Sequence, residues 1–197
     1  MRASSVLREL PRKIFHVMSL LYYVLYLSVG LERTIFWMTL GTLAVGAAEV
    51  ARLFFPAWNR LILRPFAHIV RPEEKNRVSA LFHTTLGSLL AFVVFGKNPK
   101  AVAFALGCAA LGDAAAALGG KALGRHAIGP GKTLEGTLSC LAACLGVGLF
   151  LGLGWAPSLF AAAAATAVEY APVTPWFNDN LWMPLVAAAA LQLALRK

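Results

Sequence analysis

Apolar residues in this chain come in long runs separated by short polar segments. The runs are Ile14–Gly30, Thr34–Phe55, Ser79–Phe95, Ala101–Leu118, Thr133–Gly154, Ser158–Tyr170 and Leu181–Leu195. A helix needs about 20 mostly apolar residues to cross a bilayer, so seven such helices would use most of the chain and leave only short loops. The pattern predicts an all-α, polytopic transmembrane helix bundle of about seven spans, forming a single integral-membrane domain over residues 1–197. The sixth and seventh runs are short and flanked by polar, Pro-containing segments, which suits short or tilted helices with ends buried in protein. Leu61–Val70 is apolar but too short to span, and between basic flanks it reads as an interfacial helix. The first run follows Arg2, Arg8, Arg12 and Lys13, as in a signal peptide. No A-x-A cleavage site follows it and further runs do, so it reads as a retained first helix.

Composition sharpens this picture. Hydrophobic residues make up 59% of the 197 residues and charged ones 14%, against about 25% charged in soluble domains. Disorder, collagen and an ordinary water-soluble globule are excluded. No separate soluble catalytic domain fits, so any chemistry belongs in the loops and at the ends of the spans. The net charge of +9 would suggest nucleic acid in a soluble protein. Here it is read as setting topology and meeting anionic lipid headgroups, with no nucleic-acid partner. With seven spans, 13 Lys and Arg fall on the side of the N-terminus, in the stretches Arg2–Lys13, Arg52–Arg77 and Lys121–Lys132, and 5 fall on the other side. That bias predicts a cytoplasmic N-terminus and an external C-terminus. It also places the loop around 119–132 and the segment around 171–180 in the cytoplasm. Cys108, Cys140 and Cys144 all lie in apolar stretches; an odd, buried set reads as packing rather than as a disulfide framework or zinc site.

The sparse acids carry the most information. Glu49, Asp113, Glu135, Glu169 and Asp179 lie within apolar runs or at their ends, where an ionisable group costs several kcal/mol unless paired or wetted. Glu49 has Arg52 three residues on, on the same helical face, so an ion pair explains it. Asp113 and Asp179 are the only aspartates and have no base nearby in sequence.

Asp113 heads a stripe of small residues, Ala116, Gly120 and Gly124, on one helical face. Such a stripe lets another backbone or a ligand approach. Gly120-x-x-x-Gly124 is also a helix-dimerisation pattern, so a homodimer is compatible with it. After Arg125-His126 comes a Gly/Pro loop and then Lys132-Thr133-Leu134-Glu135-Gly136-Thr137. Gly131-Lys132-Thr133 imitates the end of a P-loop, but His126 stands where the first glycine is needed and no strand precedes it. The ingredients for phosphate remain: a Gly loop, a lysine, and the N-terminus of the following helix. Glu135 is placed to hold a metal ion or to pair with Lys132 at i, i+3. Arg12, Lys13 and His16 stand at the cytoplasmic edge of the first span, with Arg12 and His16 as i, i+4 neighbours.

Together these pieces resemble the family of dolichol kinases, phytol kinases and CTP-dependent diacylglycerol kinases, distantly related to phosphatidate cytidylyltransferases. The matching pieces, in order, begin with Arg12-Lys13-x-x-His16 and Glu49-x-x-Arg52 with Pro56, Asn59 and Arg71-x-x-Glu74. Gly112-Asp113-x-x-Ala116-x-x-x-Gly120-x-x-x-Gly124-Arg125 and Lys132-Thr133-x-Glu135-Gly136-Thr137 follow. The last piece is Glu169-Tyr170-Ala171-Pro172 leading to Asp179-Asn180-Leu181-x-x-Pro184-Leu185. Two positions depart from the family: Thr133 replaces a frequent Ser, and Asn178-Asp179-Asn180 replaces the usual Asp-Asp-Asn, one carboxylate fewer.

The resemblance implies a membrane enzyme of the compact prokaryotic form, in the cell inner membrane with a cytoplasmic active site. It would transfer the γ-phosphate of a nucleoside triphosphate, typically CTP, to a membrane lipid alcohol: a polyprenol, phytol or related isoprenoid alcohol, or diacylglycerol. It implies Mg²⁺ at Asp113, Asp179 and Asn180, and catalytic roles for Asp113, Lys132 and Glu135. Arg12, Lys13, His16, Gly120, Gly124, Arg125, Thr133 and Gly136 would bind nucleotide or phosphate. A rival enzyme reading is a cytidylyltransferase that makes a CDP-lipid. The Gly-His-Gly-Gly and Asp-Arg-x-Asp segments expected of that branch are absent. A non-enzymatic rival is a transporter or scaffold, but a transporter gathers polar groups near the midplane, whereas these crowd one face.

Overall fold

The computed structural model describes residues 13–14, 16–64, 77–174 and 177–196. The described chain is mostly helical. A 3₁₀ turn at Met18–Leu20 leads into α1 (Leu21–Val29), and α2 (Leu31–Phe54) follows directly. Between them Gly30 takes φ +82°, a left-handed value that glycine adopts without a Cβ clash. Its N–H closes α1 on the Tyr26 carbonyl and its own carbonyl opens α2. Phe55 is extended, and Pro56 starts α3 (Pro56–Leu63) at N1, where a missing N–H costs nothing. Ser79 Oγ accepts from Phe82 N–H to cap α4 (Ala80–Phe95). Asn98 Oδ1 accepts from Ala101 N–H to cap α5 (Pro99–Gly107).

α5 runs through a π turn at Cys108–Gly112 into α6 (Asp113–Leu123). A short hairpin follows, β1 (Ala127–Gly129) against β2 (Lys132–Thr133), antiparallel with Ala127 opposite Thr133. Gly131 takes φ +70° in its turn. Thr133 Oγ1 caps α7 (Leu134–Phe150) by accepting from Gly136 N–H. α8 (Trp155–Tyr170) and α9 (Asp179–Ala194) complete the chain, with Asn178 Oδ1 accepting from Asn180 N–H at the start of α9.

α9 is central: it packs against α8, α4 and α5, while α7 packs between α6 and α8 and α2 lies on α4. Small side chains make this possible. Ala101, Ala105, Ala161, Ala162, Ala165, Ala187 and Ala188 are fully buried, with Phe104, Met183 and Leu191 between them. Close packing of small residues is how helices associate where no hydrophobic drive exists between them. Large apolar side chains face outward instead, among them Phe36, Trp37, Leu43, Phe150 and Trp155. Leu31–Phe54 and the continuous helix Pro99–Leu123 are long and apolar enough to cross a membrane.

Every predicted apolar run falls on a helix. The sixth and seventh helices begin earlier than their runs, at Trp155 and Asp179, because Gly154 and Asn178 supply the turns that start them. One reading needs correction. Of the helix expected at Leu61–Val70, Leu61–Leu63 lie on α3, whose first turn Pro56 fixes, and 65–70 lie outside the described residues. The loop after Gly124 contains a hairpin, too short to leave an alternating pattern.

Candidate functional site

Several of the acids and bases singled out from the sequence lie where elements begin or end. Asp113, the first residue after the π turn, accepts a hydrogen bond from Lys13 Nζ at 2.5 Å. Lys13 is 2% exposed and Asp113 15%, so both charges leave water largely through each other. His16 Nδ1 lies 3.6 Å from the same carboxylate oxygen, one helical turn beyond Lys13. The His16 carbonyl accepts from Ser19 Oγ. A π turn shifts every later side chain round the helix axis, and here Asp113 follows it directly.

Asp179, in the first turn of α9, lies within electrostatic reach of Asp113, Lys132 and Lys13. Its Oδ1 accepts from the backbone N–H of Asn180 at 2.9 Å and from the Asn180 side-chain amide at 3.3 Å. Gly87 of α4 lets this helix start come close: a Cβ there would lie 2.7 Å from the Asn180 carbonyl oxygen. Lys132 Nζ, from β2, donates to the Glu169 carbonyl at 2.5 Å and to Glu169 Oε1. Glu169 is buried at the end of α8, and its Oε2 has no hydrogen-bond partner. Tyr170, the next residue, donates its hydroxyl to the Ile128 carbonyl. The hairpin is thus tied to α8 at both strands.

Glu135 pairs with His126: Oε1 lies 2.7 Å from Nδ1, and Oε2 accepts from the His126 N–H. The alternative of an i, i+3 pair between Lys132 and Glu135 is not what forms. Lys132 sits on β2, before helical geometry begins at Leu134, and its side chain reaches α8 instead. Gly120, Gly124, Thr133 and Gly136 lie together where α6 crosses the start of α7. A Cβ on Gly136 would stand 2.7 Å from the Ala116 carbonyl oxygen, and one on Gly120 would stand 3.0 Å from Thr133 Oγ1. The close approach these glycines permit is taken up by the neighbouring helix. Arg125 is exposed beside the hairpin, and Arg12 lies outside the described residues.

A second polar cluster is structural. Arg52 donates to both oxygens of Glu49, at 3.0 and 2.6 Å, and to the Arg77 carbonyl. The Ser79 N–H donates to Glu49 Oε2. The pair locks the end of α2 to the start of α4. Sequence reasoning placed Glu169 among the informative acids but assigned it no partner; its position at an apolar helix end was the available signal. Among the described residues no group of three His, Cys, Asp or Glu side chains lies together in a way that could hold a metal ion.

Over 189 aligned residues the chain is 28% identical to an uncharacterized protein of Rickettsia prowazekii (strain Madrid E), covering 90% of each. No family model matches the chain, and no solved structure matches it.

Proposed function

We propose that this chain is an integral-membrane lipid kinase that transfers the γ-phosphate of CTP, or another nucleoside triphosphate, to the hydroxyl of a membrane lipid alcohol. In this reading the seven long helical stretches are spans, with the N-terminus and the polar cluster at the cytoplasmic face. One observation carries it: Lys13 pairs with Asp113 and Lys132 with Glu169, two ion pairs from four separate elements, and Asp179 of a fifth stands within electrostatic reach of Asp113 and both lysines. Buried bases and acids gathered at one end of an apolar bundle are costly unless they serve a site. Lysines and arginine beside a helix N-terminus suit phosphates.

Phosphoryl transfer asks the protein mainly for positioning and charge stabilisation. The acceptor hydroxyl oxygen bonds to the γ-phosphorus while the bond from that phosphorus to the bridging oxygen breaks. The nucleoside diphosphate leaves, and the hydroxyl proton passes to a carboxylate of the site. Lys13 and Lys132, each held by an acid, bear on the phosphate charge, with Arg125 at the rim. Asp113, Asp179 and the Asn180 side-chain oxygen are the hard donors that would hold Mg²⁺, and when bound it would supply positive charge against the phosphates.

The test is purified protein with CTP, Mg²⁺ and a panel of lipid alcohols. For a kinase, label on the γ-phosphate moves to the lipid and CDP accumulates. Label moving from the α-phosphate, with pyrophosphate released, would make the protein a cytidylyltransferase instead.

A further inference from the structure

α3 stands apart from the rest of the bundle. Phe55, between α2 and α3, is extended at φ −119° and ψ 103°, so α3 does not continue the line of α2. It packs chiefly on α2, and most of its described side chains are open. Trp58 is 54% exposed and Leu61 64%, with Phe54 and Phe55 exposed just before them. Arg60 and Arg64 are exposed as well. Trp58 and Leu61, three residues apart, share one face, and Arg60 and Arg64, four apart, share another about 110° round the helix. Arg64 keeps helical dihedrals, φ −54° and ψ −50°, so the arginines hold this spacing. Like charges at i, i+4 repel, and among the described residues neither arginine pairs with an acid. Glu49 of α2 is taken up by Arg52 and by the Ser79 N–H. A third exposed arginine, Arg77, is held at the same end of α2, where its carbonyl accepts from Arg52.

We infer that α3 lies in the plane of the membrane surface and that Arg60 and Arg64 together bind the phosphate of an anionic phospholipid, with Trp58 and Leu61 among its acyl chains. The apolar face by itself calls only for hydrocarbon, and the arginine pair by itself only for an anion. One short helix that shows both side by side fits a molecule that is both, a charged lipid at the interface. Guanidinium groups match phosphate oxygens in geometry, and their methylene stems lie along apolar surface while the heads reach the phosphates. Tryptophan is at home at this depth. A phosphate between the two guanidinium groups turns their repulsion into a shared attraction. A zwitterionic headgroup brings its own ammonium to that place and an anionic one does not, so the pair favours the anionic lipid. The inference needs the chain to lie in a membrane and does not need it to be a kinase.

The experiment titrates dioleoylphosphatidylglycerol or dioleoylphosphatidylcholine onto the purified full chain in detergent, read by native mass spectrometry. Wild-type protein is expected to bind the phosphatidylglycerol more tightly. A cation near an anionic surface is worth about a fivefold change in affinity. Arg60→Gln and Arg64→Gln should each weaken that binding about fivefold, and the double variant should bind the two lipids alike. Arg33→Gln, exposed near the start of α2, should keep the wild-type preference. Position is read with a nitroxide at Leu61→Cys in lipid vesicles, since Cys108, Cys140 and Cys144 are fully buried and do not compete for the label. Oxygen should reach this nitroxide more readily than a water-soluble nickel chelate. Equal binding of the two lipids, an unchanged preference in the double variant, or its loss in Arg33→Gln would each overturn the inference. So would displacement of the lipid by excess inorganic phosphate, or a nitroxide reached mainly by nickel. A nitroxide shielded from both reagents would put a second copy or another protein on this face and overturn it too. None of these readouts involves CTP, so this inference and the kinase reading stand or fall separately.

Discussion

Lys13 and Asp113 stand 100 residues apart in the chain, and their side chains meet at 2.5 Å. Each offsets part of the other's cost of leaving water, and the contact closes the first helical segment onto the middle of the helix Pro99–Leu123.

Breaking that pair from one side should be worse than removing it. Asp113→Asn takes the paired carboxylate from a lysine with 2% exposure, and since Asp179 stands within its electrostatic reach the loss should stay below the roughly 3 to 5 kcal/mol of a fully stranded buried charge. Pairing it with Lys13→Met should restore most of the melting temperature. Both proteins should lose phosphoryl transfer, and retention of more than about a tenth of the rate, a barrier change under about 1.4 kcal/mol, would remove Asp113 from the chemistry.

Lys132→Ala should abolish transfer and lower the melting temperature, because it strands the buried Glu169 carboxylate. Adding Glu169→Gln removes that stranded charge. The double variant should therefore regain stability while remaining inactive. Recovery of activity in the double variant would show that Lys132 only neutralises Glu169.

Helix spacing is open to a cleaner test. Gly136→Ala puts a methyl 2.7 Å from the Ala116 carbonyl oxygen, and overpacking of this kind costs about 1 to 3 kcal/mol. Gly146 lies in the same helix with nothing within 4 Å of an added Cβ. Gly146→Ala should therefore stabilise by about 0.5 to 1 kcal/mol through helix propensity. Thermal melts of the two variants should move in opposite directions.

Topology can be read by tagging. An N-terminal tag should be reached only from the cytoplasm and a C-terminal tag only from outside. Both tags on one side would mean that one of the seven helical stretches does not cross.

The helices were legible because long apolar runs leave little else for a backbone to do. The Glu49–Arg52 pair was legible because three residues bring two side chains to one helical face. Lys13 and Asp113 could each be marked as costly, yet nothing local says that they meet, since their contact depends on how α6 packs against the first segment. The sequence offers Glu135 either a metal ion or Lys132 three residues before it, while in the fold Lys132 meets Glu169 on α8. Lys132 still lies on β2 and the helix that carries Glu135 starts only at Leu134, and two strands this short leave no alternating signature. Gly120 and Gly136 show the converse. Their small size is plain in the sequence, but that α6 and α7 cross closely there depends on how the two helices pack.

The π turn at Cys108–Gly112 sets two angular phases on one continuous rod. Ahead of it Ala101, Phe104 and Ala105 face the alanine-rich core; beyond it Asp113 faces the first segment and Gly120 faces α7. Such a turn is what a helix becomes on gaining a residue. Excising Ala109 would let it relax to ordinary pitch with Phe104 still on the core and Asp113 still on Lys13, because the turn holds the one residue in excess. A single-residue deletion elsewhere in the helix Pro99–Leu123 has no such slack and turns one half against the other by about 100°, so it is the length change this fold tolerates least.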